Sequence, residues 1–127
     1  MQNDEAAVEA AMEVMRRHLI ALNAQDADTL AATLHFPHYR LSLGRLQTWE
    51  TPATYLADFR KRAEPGWARS QWDFLNVVAA GPEKVHLDVG FTRFGHAGEV
   101  LGQYRSLWVI ARLQGRWAAQ LRSSFAA

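Results

Sequence analysis

Leu22-Asn23-Ala24-Gln25-Asp26-Ala27-Asp28-Thr29-Leu30 decides the fold, because one amphipathic helix ends inside it and another begins. Upstream, Val8, Met12, Met15, Leu19 and Leu22 recur at helical steps and form one apolar stripe. Ala11, Met15, His18 and Leu22 make an overlapping stripe, which sets His18 at the border of the buried side. Asn3 or Asp4 is expected to cap this helix, with carboxylates near its positive end. Asn23 is expected to end it in a left-handed turn, and Asp26 to cap a short second helix reaching Leu34.

Downstream the period changes from helix to strand. Pro37 is expected to stop the second helix, and residues 39–43 alternate like a strand. Gly44 permits a tight turn into a partner strand at 45–49. Thr51-Pro52 then signals a third helix: the hydroxyl caps it and proline takes its first position. Tyr55 and Phe59 lie one turn apart on that helix, Arg60-Lys61-Arg62 close it, and Glu64-Pro65-Gly66 breaks it. The remainder reads as a meander of strands at 69–80, 84–94, 100–113 and 116–125, divided by Gly81-Pro82, Gly95-His96-Ala97-Gly98 and Gln114-Gly115. Strands this long need strong twist or bulges. Helices followed by one curled sheet predict an α+β domain. In it a cone-shaped, strongly curved mixed or antiparallel sheet wraps around the N-terminal helices and leaves room for a ligand.

Composition narrows the function. At 127 residues the chain is expected to be a single domain, 1–127. A formal net charge of +1 gives no support to a nucleic-acid or membrane-surface partner. The positive charge is nonetheless almost all arginine, with Lys61 and Lys84 the only lysines. Arginine presents a flat, permanently charged fork that suits carboxylates and phosphates. With no cysteine, disulfides and thiolate chemistry are excluded. No apolar run is long enough to cross a membrane and Asn3-Asp4-Glu5 is unlike a signal peptide, so a cytoplasmic protein is expected.

Alternation inside the strands adds a clue about assembly. Val85, Leu87, Val89 and Phe91 share one face; His86, Asp88, Gly90 and Thr92 share the other. Leu107-Trp108-Val109-Ile110-Ala111 is apolar on both faces. Three helices cannot cover both sides of a sheet, so a second copy of the chain is expected on the outer side. The partners expected are therefore a small-molecule ligand, anionic in one reading, and a homodimer mate.

The stretch His18-Leu19-Ile20-Ala21-Leu22-Asn23-Ala24 with Asp26-Ala27-Asp28 resembles the first-helix motif of ketosteroid isomerases. The closing Gly115-Arg116-Trp117 and Arg122-Ser123-Ser124 resemble the final hairpin of many nuclear transport factor 2-like proteins. The order of elements resembles the same superfamily along almost the whole chain. Its relatives include cyclases of the SnoaL type, scytalone dehydratase and limonene epoxide hydrolase. The resemblance implies a cystatin-like cone roll and a cofactor-free pocket. The isomerase residues transfer poorly. The oxyanion-binding tyrosine falls on His18, the proton-shuttling aspartate near Ser42, and the second oxyanion donor near Gly90, two residues from Asp88. Without a base beside an acid, ketosteroid isomerisation is not expected.

Several side chains remain as candidates. His18 is expected to act as acid, base or donor, with Asp73 or Asp88 assisting; the plain alternative is a histidine bonded at the core's edge. His35 and His38 flank Pro37 without an evident third ligand, so no metal and no cofactor are expected. Arg40, Arg93, Arg105 and Arg122 lie in strands, and a buried guanidinium requires an anionic partner. Arg40 and Arg122 are selected as ligand contacts, with Tyr55, Trp72, Tyr104 and Trp108 completing the lining. Two functions stay open: a lyase or isomerase acting on a small apolar carbonyl or carboxylate compound, and a non-catalytic ligand-binding or dimerisation module.

Overall fold

The first helix owes its packing to alanine. In the computed structural model, which describes residues 2–62 and 65–127, α1 spans Gln2–Ala24. Ala7, Ala11, Val14, Met15, His18 and Ala21 are its buried line, while Val8, Met12, Leu19 and Leu22 are only partly covered. The stripe is therefore turned toward its small residues, because alanine lets the helix lie close against the sheet. The turn carries His18 from the border into the interior, where it is 3% exposed. The helix already begins at Gln2, so Asp4 sits in its first turn with Glu5 and complements the helix dipole rather than capping it. The side chain of Asn3 lies outside the described residues.

Helix α2 covers Ala27–Ala32, and Asp26 caps it by accepting from the Thr29 N–H at 3.3 Å. The left-handed residue between the helices is Gln25, at φ 54°, rather than Asn23. Asn23 has another task. Its side chain accepts from the Ser70 N–H at 2.8 Å and donates to the Ser70 carbonyl at 2.9 Å, satisfying both backbone groups of one residue on an edge strand. Replacing Asn23 by Ala is expected to cost about 2 kcal/mol, the worth of two such bonds. Urea unfolding measures this, and an unchanged midpoint would contradict the assigned role.

Strand β1 spans Leu34–Ser42 and β2 spans Arg45–Trp49. The second helix thus ends before Leu34, and Pro37 lies within β1 instead of terminating a helix. It sits where the pairing of β1 with the last strand shifts register between Leu34 and Tyr39, so its missing N–H interrupts no ladder. Leu43 and Gly44, at φ 53° and 74°, form the two-residue turn between β1 and β2. Helix α3 spans Pro52–Arg62, and Thr51 accepts from the Thr54 N–H at 3.2 Å at its start. The expected break at Glu64 lies outside the described residues; Pro65 and Gly66 form a turn.

Four long strands follow: β3 Trp67–Ala80, β4 Lys84–Gly95, β5 Val100–Leu113 and β6 Arg116–Ser124. They join the first pair in one sheet of order β2-β1-β6-β5-β4-β3, antiparallel throughout except where β1 runs parallel to β6. The sheet is mixed, and that parallel contact sets Arg40 beside Arg122. Register shifts interrupt the long ladders, as at Trp72/Phe74, Arg93/Phe94 and Val109/Ile110. Bulges of this kind bend and twist a sheet.

The helices cover one face only. Val85, Leu87, Val89 and Ile110 are fully buried beneath α1. On the opposite face Leu46, Leu41, Ser123 and Leu107 line up across four strands, and the leucines of that row are exposed. Leu121 and Phe125 extend the same patch. Among the described residues no helix is long and apolar enough to cross a membrane.

Candidate functional site

Between the helices and the inner face lies a cavity of about 120 Å3. Each side chain enters from an element whose geometry fixes it. α1 supplies His18 and Leu22, and α3 supplies Tyr55 and Phe59 from adjacent turns. The sheet supplies Arg40, Trp72, Phe91, Arg93, Trp108 and Arg122 from inward positions.

His18 is held on three sides. Its ring lies nearly parallel to Trp72 at 6.4 Å and edge-on to Trp108 at 5.1 Å. Its Nδ1 is 2.8 Å from the Thr33 hydroxyl, which donates its own proton to the Leu30 carbonyl at 2.7 Å. Thr33 must then accept, so Nδ1 carries the imidazole proton and Nε2 is left bare toward the cavity. Burial, then the positive charge of Arg122, push the His18 pKa down to about 3. The ring is neutral at physiological pH.

Arg122 is the most informative group. It is 8% exposed, and its guanidinium lies 4.8 Å over the Trp108 ring. Among the described residues it makes no hydrogen bond or ion pair with the protein. Its N–H groups therefore meet the cavity. Arg40 stands next to it across the parallel pair and donates to the Ala126 carbonyl at 3.0 Å. Arg93 approaches Phe91 and Tyr104 at 5.7 and 5.1 Å. Among the described residues no acidic side chain lines the cavity.

The other expected residues divide by strand parity. Trp72, Trp108 and Tyr55 line the cavity with His18, Arg40 and Arg122. Tyr104 shares the inner face but sits beyond Phe91, 5.6 Å from its ring, and does not line the cavity. Asp88 points to the outer face, where Arg105 grips both its oxygens at 2.9 and 2.7 Å. It neighbours Gly90, over which the Phe74 ring packs so closely that an added Cβ would overlap it. Asp73 is likewise exposed on the outer side, accepting from Thr92 at 2.6 Å and Gln71 at 3.0 Å. Neither aspartate joins His18, because both occupy alternate positions to the inward residues of their strands. Ser42 is buried and donates to the Ala126 carbonyl.

His35 and His38 both serve the framework. His35 donates from Nε2 to the Ala111 carbonyl at 2.8 Å, and His38 from Nδ1 to the Ala119 carbonyl at 3.1 Å. His38 is enclosed by Phe36, Trp49 and Tyr55, with Nε2 buried and unpartnered. Burial, reinforced by Arg122, lowers its pKa to about 2. Among the residues not expected at the site, Ser106 and Ser124 line the cavity, and Thr33 acts on His18 from outside the lining. The serines stand two residues from Trp108 and Arg122, so strand alternation from those residues would have found them.

No family model matches the chain, and no curated protein matches it in sequence. Its backbone is nonetheless similar to many solved structures. A nuclear transport factor 2-like protein with a cystatin-like fold from Novosphingobium aromaticivorans superposes with a TM-score of 0.75 at 16% identity, covering 94% of this chain and 81% of that one. A ketosteroid isomerase-like protein from Erwinia carotovora atroseptica gives 0.69 at 16% identity, covering 92% and 93%. The association domain of CaMKII from C. elegans gives 0.74 at 17% identity, covering 99% and 100%. Identities this low speak for architecture alone. The chain has the cystatin-like α+β fold of the nuclear transport factor 2-like proteins.

Proposed function

We propose that this domain binds a small carboxylate, with its apolar body among Trp72, Trp108 and Tyr55 and its charge on Arg122. The supporting observation is a buried guanidinium that faces the cavity and, among the described residues, makes no hydrogen bond or ion pair with the protein. Burying a charge without a counter-charge is costly, and an anionic ligand offsets that cost. The cavity lies below the roughly 300–1,000 Å3 that holds drug-sized ligands, so the occupant is small. Titration calorimetry with phenylacetate and its uncharged isostere phenylacetamide tests the reading. The acid is expected to bind and the amide to bind at least about tenfold more weakly, one charge-assisted bond's worth. Equal affinities would overturn it.

Catalysis is the weaker reading. A bare Nε2 favours it, since that atom is placed to take a proton from a bound acid; no cavity carboxylate relays the proton onward. His18→Ala would then abolish turnover of a carboxylate substrate while leaving folding intact.

The second role is self-association. The exposed row of Leu46, Leu41 and Leu107, extended by Leu121 and Phe125, is an apolar patch on the face that no helix covers. A neighbour of this fold is itself named for association. Sedimentation at micromolar concentration is expected to give a dimer mass, and Leu107→Arg with Leu41→Arg a monomer. A monomeric wild-type chain would contradict the dimer.

A further inference from the structure

We infer that the cavity selects acids that also carry a hydroxyl, the carboxylate meeting Arg122 and the hydroxyl donating to His18 Nε2. The inference rests on the carboxylate reading and adds to it a second point of recognition.

The polarity of the lining carries it. Arg122 offers only donors. Ser106 accepts from the Trp108 indole N–H at 2.9 Å, and Ser124 accepts from the Ala126 N–H at 3.1 Å, so each hydroxyl keeps its own proton for donation. Against these, His18 Nε2 stands as a bare acceptor. A simple carboxylate answers the donors and leaves that nitrogen unmatched. A 2-hydroxy acid answers both.

Thr33 is the positioning residue for this selectivity. The Leu30 carbonyl draws the threonine proton, the threonine oxygen holds the proton on His18 Nδ1, and Nε2 is fixed as the acceptor. Trp72 and Trp108 keep the ring from turning the other nitrogen inward. His18 and Arg122 both contact the Trp108 ring, at 5.1 and 4.8 Å, so one small molecule lying on that ring reaches both. A nitrogen of this kind discriminates because a ligand lacking the donor leaves a buried polar atom unpaired.

The experiment compares mandelate with phenylacetate, which differ only by the hydroxyl, using calorimetry on the intact chain. Mandelate is expected to bind about tenfold more tightly, the worth of one hydrogen bond to a buried acceptor. The preference is expected to disappear in Thr33→Val and to return in Thr33→Ser, which restores the hydroxyl. Imidazole 15N shifts in the wild type provide a readout independent of any variant's folding: Nδ1 protonated, Nε2 bare and displaced on mandelate binding. Equal affinity for the two acids, or an Nε2-protonated ring, would overturn this selectivity while leaving the carboxylate reading intact. If neither acid binds, both readings fail together.

Discussion

Replacing Arg122 by Met is expected to lower the affinity for phenylacetate by about a hundredfold while leaving the fold as stable as before. The two effects have one origin. A carboxylate on this guanidinium gains two charge-assisted hydrogen bonds in a site shielded from water, and each contributes about 1.5 kcal/mol or more. Methionine removes both. The same substitution also removes a buried charge that, among the described residues, makes no hydrogen bond or ion pair with the protein, which favours the folded state. It gives up the contact with Trp108, which opposes that gain. These contributions are similar in size, so the net change in stability is expected within about 1 kcal/mol. Arg122→Lys keeps the charge and loses the planar fork, and is expected to bind with intermediate affinity. Calorimetry and urea unfolding of the same preparations measure both quantities. A variant that binds phenylacetate as well as the parent would remove Arg122 from the site.

Acid is expected to unfold the domain well before its carboxylates are all protonated. His18 and His38 are neutral in the folded state, with pKa values lowered from 6.5 to about 3 and about 2 by burial first and Arg122 second. In the unfolded chain both return to ordinary values. The unfolded state therefore binds more protons throughout the interval below pH 6.5, and stability falls as pH falls. Their contribution is complete above the unfolded value and is lost progressively toward the folded ones. Each histidine gives a slope of about 1.4 kcal/mol per pH unit, so the pair removes about 5 kcal/mol between pH 6 and 4. That loss is comparable to the whole stability of many domains. His38→Phe is expected to reduce the slope, because it removes one of the two most strongly shifted histidines; His35, lowered chiefly by burial, adds to what remains. Urea unfolding at a series of pH values measures it, and a stability that is flat from pH 7 to 5 would contradict the buried, neutral assignment.

How much of this is legible in the sequence follows from what fixes each part. The boundaries of β5 and the start of α3 are legible because glycine and proline punctuate the chain there: Gln114-Gly115 closes one element, and Thr51-Pro52 opens the other. His18 is legible as a residue near the interior because its spacing from Met15 and Leu22 is helical. Its depth is not. The small side chains Ala7, Ala11 and Ala21 turn the helix, and a hydrophobicity pattern gives them little weight. Arg40 and Arg122 are legible as strand residues that need an anion, whereas their adjacency is not. It depends on the one parallel contact in the sheet, between strands far apart in sequence. Asp73 and Asp88 read as partners of His18 only when strand parity is ignored. Alternation from Val89 and Trp72 sends both outward, where Arg105, Thr92 and Gln71 engage them. Thr33 is invisible to any pattern, since its role arises from a turn that ends α2 beneath His18.

The most direct test of the account is a crystal structure of the domain grown with mandelate. The carboxylate is expected on the guanidinium of Arg122, the ring against Trp108, and the hydroxyl within hydrogen-bond reach of His18 Nε2. Mandelate bound only on the outer face beside Leu107 and Phe125, with the inner cavity free of it at saturating concentration, would contradict the account.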